Sequence, residues 1–294
     1  VIPVIDAHHH IWRQTDLPWL LGPTQPRIFG PYDPIKRDYS ISEYLDDIKG
    51  QGVVKSVYVQ ANWAPNWFLD EARYVQDVAD QSGWPHAIVA YCDLTQRDAR
   101  HDLDKLAKVP LVCGIRQQLH WHENPLYRFA NRPDIAESPA FQTNVRHLAA
   151  HGFTFDLQVF AHQMPSACTL AAACPDVTFV LQHAGMLENL SDEGRNFWRS
   201  SMKALAKHRN VVSKLSAFGT FIHRNDPEHI AWLVKETVDI FTAKRCLFGS
   251  NFPIEKLWTS YGELLGAFRS AAAPLSDAAQ KAIFHDTAKR VYRL

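Results

Sequence analysis

Val1-Ile2-Pro3-Val4-Ile5-Asp6-Ala7-His8-His9-His10-Ile11-Trp12 opens the chain, and its reading decides the fold. Five apolar residues, most of them β-branched, describe a parallel strand buried on both faces, the kind that helices cover from either side. The polar end of such a strand emerges where barrel and doubly wound folds gather their catalytic groups. Extended backbone sends alternate residues to one face, so Asp6, His8 and His10 are expected to point together into a pocket. A lone buried histidine is usually satisfied by backbone carbonyls. Two on one face beside a carboxylate point to chemistry.

Outward from this segment, seven further apolar runs recur at intervals of roughly 25 to 40 residues, the size of a βα unit. They span 53–62, 86–94, 111–119, 153–160, 177–185, 211–219 and 246–253. Between them lie helical patterns at 69–81, 100–108, 141–151, 196–208 and 228–241, with apolar residues three and four apart, and a last one at 277–292. Eight alternations without a Pro/Gly/Ser linker predict an α/β fold, a single (β/α)8 TIM barrel occupying 1–294 as one domain. The first connection, 13–40, is abnormally long and carries Pro18, Pro23, Pro26, Pro31 and Pro34 before a helix beginning near Ile41. Loops of that length are usually functional. Its Trp19, Arg27, Tyr32 and Arg37 either shape a lid over the barrel mouth or belong to a packed surface loop; the connection at 121–139 has a similar character.

Composition narrows the function classes. Apolar residues make up 46%, charged residues 21%, and the formal net charge is zero, without the basic excess of a nucleic-acid binder. Neither a run of eighteen apolar residues nor a basic-then-apolar leader is seen, so no membrane association and no signal peptide are expected. Cys92, Cys113, Cys168, Cys174 and Cys246 are widely spaced with no CxxC, which reads as reduced core thiols of a cytoplasmic protein. The expected partner is a small-molecule substrate.

The predicted strand ends are rich in polar groups: Gln60, Asn62 and Trp63 on the second; Arg116, Gln118 and His120 on the fourth; Asp156 and Gln158, with His162 just beyond, on the fifth. Gln182 and His183 end the sixth, Lys214 and Ser216 lie on the seventh, and Ser250 and Asn251 end the eighth. A slip of one residue would turn any of them into the helix layer.

In combination, Asp6-x-His8-x-His10-x-Trp12, Gly114-Ile115-Arg116, Leu181-Gln182-His183-Ala184-Gly185, Lys214-Leu215-Ser216 and Phe248-Gly249-Ser250-Asn251-Phe252-Pro253 resemble the amidohydrolase superfamily. More narrowly they resemble its lactonase-type branch, which includes 2-pyrone-4,6-dicarboxylate lactonase and the sugar-acid lactonases. The resemblance covers the whole length and implies a distorted barrel, hydrolysis of a cyclic ester, and roles for His8, His10 and His183. One position departs from the pattern. The family's strand-eight motif ends in an aspartate that shuttles protons, where this chain has Asn251, and an amide cannot take a proton from water near neutral pH. Either a histidine has taken over, or the chain is an engineered trap, or it is a relative that binds without turnover.

Three converging histidines, His8, His10 and His183, can hold one Zn2+ or another divalent ion together with a water. The resemblance implies that metal-binding members add a carboxylate or lysine on strand four, a histidine on strand five and the strand-eight aspartate. Arg116, Gln118, Gln158 and Asn251 stand in those regions, and neither arginine nor a neutral amide suits zinc. A site that needs no cofactor is therefore the first expectation, with a single metal on the three histidines as the alternative. The expected reaction is opening of a small, anionic lactone. His8 and His10 polarise its carbonyl, His183 positions or deprotonates water, and Asn251 hydrogen-bonds the water or the ring oxygen. Arg116 is expected to grip a substrate carboxylate, or else to pair with Asp93 or Asp156. Lys214 either holds the same anion or pairs with a barrel carboxylate. Gln60, Gln158, Trp63 and Trp121 complete the expected binding set, with Tyr91 and Phe252 as further walls. The rival readings are a metal-dependent decarboxylase or hydratase of the same superfamily, and a non-catalytic ligand-binding relative.

Overall fold

The computed structural model describes residues 2–294. Eight parallel strands follow one another in sequence order around the sheet: β1 (Val4–His9), β2 (Val53–Val59), β3 (Ala87–Ala90), β4 (Val112–Gln118), β5 (Thr154–Gln158), β6 (Phe179–Leu181), β7 (Val211–Leu215) and β8 (Cys246–Phe248). Each apolar run read from the sequence contains one strand, so the (β/α)8 expectation holds. The strands are shorter than the runs, because the polar C-terminal part of several runs turns out of the sheet. Between β8 and β1 the ring closes just past the end of β8, where His9 bridges Phe252. Asn251 N donates to His8 O at 2.7 Å and His10 N to Phe252 O at 2.8 Å across that gap.

The surrounding helices are α1 (Pro18–Leu21), α2 (Ile41–Asp47), α3 (Phe68–Ser82), α4 (Arg100–Leu106), α5 (Pro139–His151), α6 (Met164–Ala173), α7 (Asp192–Leu205), α8 (Pro227–Phe241), α9 (Tyr261–Ala272), α10 (Asp277–Lys281) and α11 (Thr287–Tyr292). A single π-turn, Ala282–Asp286, joins the last two, so the pattern at 277–292 is one interrupted helix. Three helices were not anticipated: the single turn α1 inside the 13–40 connection, α6 and α9. The Ala-rich α6 has no polar face to give it a period, whereas α9 is announced by a capping box in which Ser260 and Glu263 satisfy each other's backbone N–H.

Two apolar layers result. Side chains between strands and helices form the outer core. Inside the barrel, Ile5, Ala7, Val57, Val59, Val89, Val180, Val212 and Leu247 pack on Ala288, Val291 and Tyr292, so α11 stoppers the end opposite the mouth. The 13–40 connection is folded: Trp12 and Tyr39 exchange backbone hydrogen bonds at 2.8 and 2.9 Å, and Leu17, Leu20, Tyr32 and Ile35 are buried. No described helix is long and apolar enough to cross a membrane, and all five cysteines are free thiols.

Candidate active site

A cavity of about 480 Å³ opens at the C-terminal ends of the strands. His10, Arg116, Gln118, His120, Gln158, His183 and Asn251 supply its polar surface, and Trp19, Phe29, Trp63, Tyr91, Phe129 and Phe221 much of its apolar wall. Trp19 and Arg27 come from the 13–40 connection, which thus lies over the mouth; Trp19 Nε1 is anchored to Ala61 O at 3.0 Å.

The opening histidines do not alternate as simple extended backbone requires. The pairing of β1 with β2 shifts register between Asp6 and His9, and a register shift reverses which face a side chain takes. Asp6 consequently points into the helix layer, where Tyr44 and Tyr261 donate to Oδ2 at 3.0 and 3.1 Å and Ser250 N donates to Oδ1 at 2.8 Å. His9 follows it and stacks on Tyr44 at 3.9 Å between ring centroids. His8 and His10 face inward, with ring centroids 5.0 Å apart, and His8 lies another 5.0 Å from His183. The expectation that Asp6 shares their face is corrected by this irregularity.

His183 is not on a strand. It sits in the turn after β6 with φ 55°, followed by Ala184 at 46° and Met186 at 53°. Left-handed backbone costs a non-glycine residue about 1–3 kcal/mol, and here it turns the imidazole into the cavity. Gly185 lies within this turn, where a Cβ would collide with Met164. Hydrogen bonds then restrict the rings. His10 Nδ1 lies 2.6 Å from Val59 O; a carbonyl only accepts, so Nδ1 carries the proton and Nε2 keeps its lone pair. His183 Nδ1 pairs with Ser216 Oγ at 2.8 Å. His8, behind the cavity wall, has no partner for either ring nitrogen. Burial holds all three imidazoles well below their ordinary value, with nearby Arg116 and Lys214 adding to the effect on His8 and His183, and Arg116 on His10. They are neutral near pH 7. His10 therefore offers the cavity an acceptor, and its expected role of polarising a carbonyl is corrected.

Arg116 is the cavity's buried cation. Nη2 donates to Gln60 O at 2.5 Å, while Nε has no partner. Burial lowers the guanidinium to about 10, so it remains charged at neutral pH. Neither expected carboxylate pairs with it directly: Asp93 accepts from Thr95 and Gln117, and Asp156, which acts on Arg116 only at longer range together with Glu71, accepts from Lys214, Gln182 and Tyr292. Lys214 is the contrasting case. Its Nζ sits 2.8 Å from Asp156 Oδ2 with both side chains fully buried, against Tyr292 of the stopper. It is absent from the cavity wall, so its expected contact with substrate is corrected in favour of the barrel carboxylate.

Gln158 and Trp63 line the cavity as expected; Gln60 and Trp121 do not. Gln60 Oε1 turns to Asn62 N at 2.7 Å, and Arg128 covers the Trp121 ring at 4.8 Å. Phe252 is packed against Tyr261 instead of the cavity. Asn251 reaches the wall from a left-handed position, φ 59°. Beside it lies Glu255, which sequence reasoning missed: it is fully buried although it reads as one of the ordinary charges of Ile254-Glu255-Lys256.

Among the described residues, no three His, Cys, Asp or Glu side chains are arranged to hold a metal ion. The chemistry agrees. The charges of Arg116 and Lys214 act on the imidazoles and oppose a dication, and Asn251 supplies an amide in place of an anionic ligand.

The family model described as amidohydrolase matches residues 5–294. The chain belongs to the amidohydrolase family. This amidohydrolase is 34% identical over 295 residues to the uncharacterized protein y4mH of Sinorhizobium fredii, covering 100% of this chain and 99% of the relative. It is 28% identical over 260 residues to an L-fucono-1,5-lactonase of Burkholderia ambifaria, covering 88% and 83%. A crystal structure of an amidohydrolase from Burkholderia multivorans with bound zinc superimposes with a TM-score of 0.83 at 26% identity, over 99% of both chains. The amidohydrolase is thus distantly related to lactonases.

Proposed function

We propose that this amidohydrolase opens the ring of a small lactone bearing a carboxylate, without a resident metal. The observation that carries the reading is Arg116: a buried guanidinium with no acid partner, on the wall of a cavity that also holds neutral imidazoles. Burying a charge unpaired is costly, and a substrate carboxylate is the partner whose two oxygens suit the fork of a guanidinium. Distant relationship to an L-fucono-1,5-lactonase supports the bond broken.

In this mechanism His183 accepts a proton from water as the oxygen attacks the ring carbonyl carbon. The carbonyl oxygen, gaining negative charge, meets the N–H of Asn251, which donates without exchanging a proton. Collapse breaks the bond to the ring oxygen, which takes the proton from His183 and leaves as a hydroxyl, giving a hydroxy acid. A bound carboxylate also neutralises Arg116, removing one of the charges that disfavour a protonated His183. Gln118 and Gln158 remain for ring substituents, and the aromatic wall for the ring faces.

The test is a hydrolysis screen over lactones with and without a carboxylate, run with metal analysis and beside Asn251→Asp. Expected are turnover favouring the carboxylated ring, metal far below stoichiometry, no loss on chelation, and a variant slower by about 100-fold, the scale of one lost oxyanion donor. Turnover confined to the variant would make the natural chain a binding protein, the reading that Asn251 itself favours. Stoichiometric, essential zinc would move the chemistry to the decarboxylase and hydratase class.

A further inference from the structure

One peptide unit just past the end of β2, joining Gln60 to Ala61, lies between a buried cation and a buried acid. Its oxygen accepts from Arg116 Nη2 at 2.5 Å. Its N–H donates to Glu71 Oε1, also at 2.5 Å. The peptide is trans, and in a trans peptide the C=O and N–H point to opposite sides. Arg116 and Glu71 therefore grip one rigid plane from opposite faces of the strand end, Arg116 from the cavity wall and Glu71 from the first turn of α3. Glu71 is 2% exposed, does not reach the cavity wall, and takes no part in the mechanism above.

The rest of this segment is fastened as well. Tyr58 Oη donates to the same Glu71 oxygen at 2.7 Å, Gln60 N donates to Val89 O at 2.9 Å, and Ala61 O accepts from Trp19 Nε1 at 3.0 Å. Among the described residues Arg116 makes no side-chain hydrogen bond besides the one to Gln60 O, and its Nε has no partner. The direction of the guanidinium is thus set by where the Gln60 carbonyl stands, and that carbonyl shares its plane with the N–H that Glu71 holds. A peptide that gives its N–H to a carboxyl oxygen is also the stronger acceptor at its own oxygen, because each bond polarises the next. Oε1 already receives two donors, so a proton taken up by Glu71 goes to its other oxygen and the hold on Ala61 N–H persists in both charge states.

We propose that Glu71 is a positioning residue which, acting through the Gln60–Ala61 peptide, aims the Arg116 guanidinium at the substrate carboxylate. The acid that Arg116 lacks at contact distance stands one peptide away, where it steadies the guanidinium without occupying the N–H groups a substrate needs. That the aimed guanidinium meets a lactone carboxylate rests on the lactonase reading; the coupling of Glu71 to Arg116 does not.

The experiment compares Glu71→Gln with Glu71→Leu in the full chain, both confirmed folded by thermal unfolding. Glutamine keeps an oxygen to accept from Ala61 N–H and Tyr58 Oη; leucine fills the space and accepts nothing. With a carboxylated lactone, Gln is expected to hold KM within about threefold, whereas Leu raises it about 10-fold, with kcat and the KM of an uncharged lactone moved less than about threefold. In 15N-labelled protein the Arg116 Nε–H signal, assigned by its loss in Arg116→Met, is expected to stay in place in the Gln variant and to shift in the Leu variant. The Ala61 amide is expected to resist hydrogen exchange as strongly as the barrel strands in the natural chain and in the Gln variant, a measurement that decides even if the Leu variant fails to fold. An unmoved Arg116 signal in the Leu variant, a Gln variant as impaired as Leu, a Leu variant that weakens both lactones equally, or a rapidly exchanging Ala61 amide would each overturn the assignment. Arg116 and Ala61 signals that behave as expected in a protein that hydrolyses no lactone would remove the lactonase reading and leave the positioning role standing.

Discussion

Arg116 places a full charge in the barrel with no acid to meet it, and a site that tolerates this has traded stability for binding. The expected signature of Arg116→Met is therefore two opposite changes. KM for a carboxylated lactone rises about 100-fold, the equivalent of roughly 3 kcal/mol for a lost charge-assisted pair, and an uncharged lactone is affected far less. At the same time the free energy of unfolding rises by about 1 kcal/mol, because a buried cation without a directly paired acid has been removed. Steady-state kinetics on the two lactones and urea unfolding of both proteins check the two halves. A variant that is destabilised and binds both lactones equally well would mean that Arg116 serves the fold.

Among the elements, β5, β7 and the turn after β6 meet beneath the cavity in a polar cluster of Asp156, Lys214 and Gln182, closed from below by Tyr292. Lys214→Met leaves the buried Asp156 side chain without its cation, a loss of about 3–5 kcal/mol by denaturant unfolding, with KM of the folded enzyme unchanged. Adding Asp156→Asn is expected to recover part of that loss, since the orphaned charge goes with it. This contrast between Lys214 and Arg116 marks the limit of what strand patterns reveal. Both residues were placed inside the barrel by alternation, but alternation carries no information on depth, and depth separates an ion pair in the core from a free cation at the wall. The opening strand shows a second limit. Its apolar run announced a buried parallel strand, and the histidines announced the site, while the register shift between Asp6 and His9 has no residue signature and decided which of them face the cavity. His183 was found because Ala184-Gly185 follows it in a recognisable motif, and its left-handed backbone was not foreseeable from side-chain type. Glu255 stayed invisible because an isolated acid after a strand end ordinarily faces water.

For the whole molecule, buried ionisable groups dictate how stability depends on pH. His8, His9, His10, His120 and His183 are all held by burial below the ordinary imidazole value of 6.5. The unfolded chain therefore binds protons that the folded one refuses, and stability drops as pH falls through 6.5. Glu71 and Glu255 act in the other direction, raised from 4.5 to about 7 and about 8. Their contribution is fully present below 4.5 and lost as pH rises through those values. Of these groups the histidines prevail below 6.5 and the raised acids above it, so urea unfolding is expected to show a maximum close to pH 6.5. Glu255→Gln should flatten the alkaline side; a curve that climbs steadily to pH 9 would contradict the burial of these acids as neutral groups.

The ring is fastened at its seam by main-chain atoms of the very residues that supply chemistry: His8 and His10 on one margin, Asn251 and Phe252 on the other. Such a latch is indifferent to what hangs from it. A carboxylate can give way to an amide at position 251 without the staves springing apart, so the reactive groups of this scaffold are exchangeable parts mounted on a permanent joint.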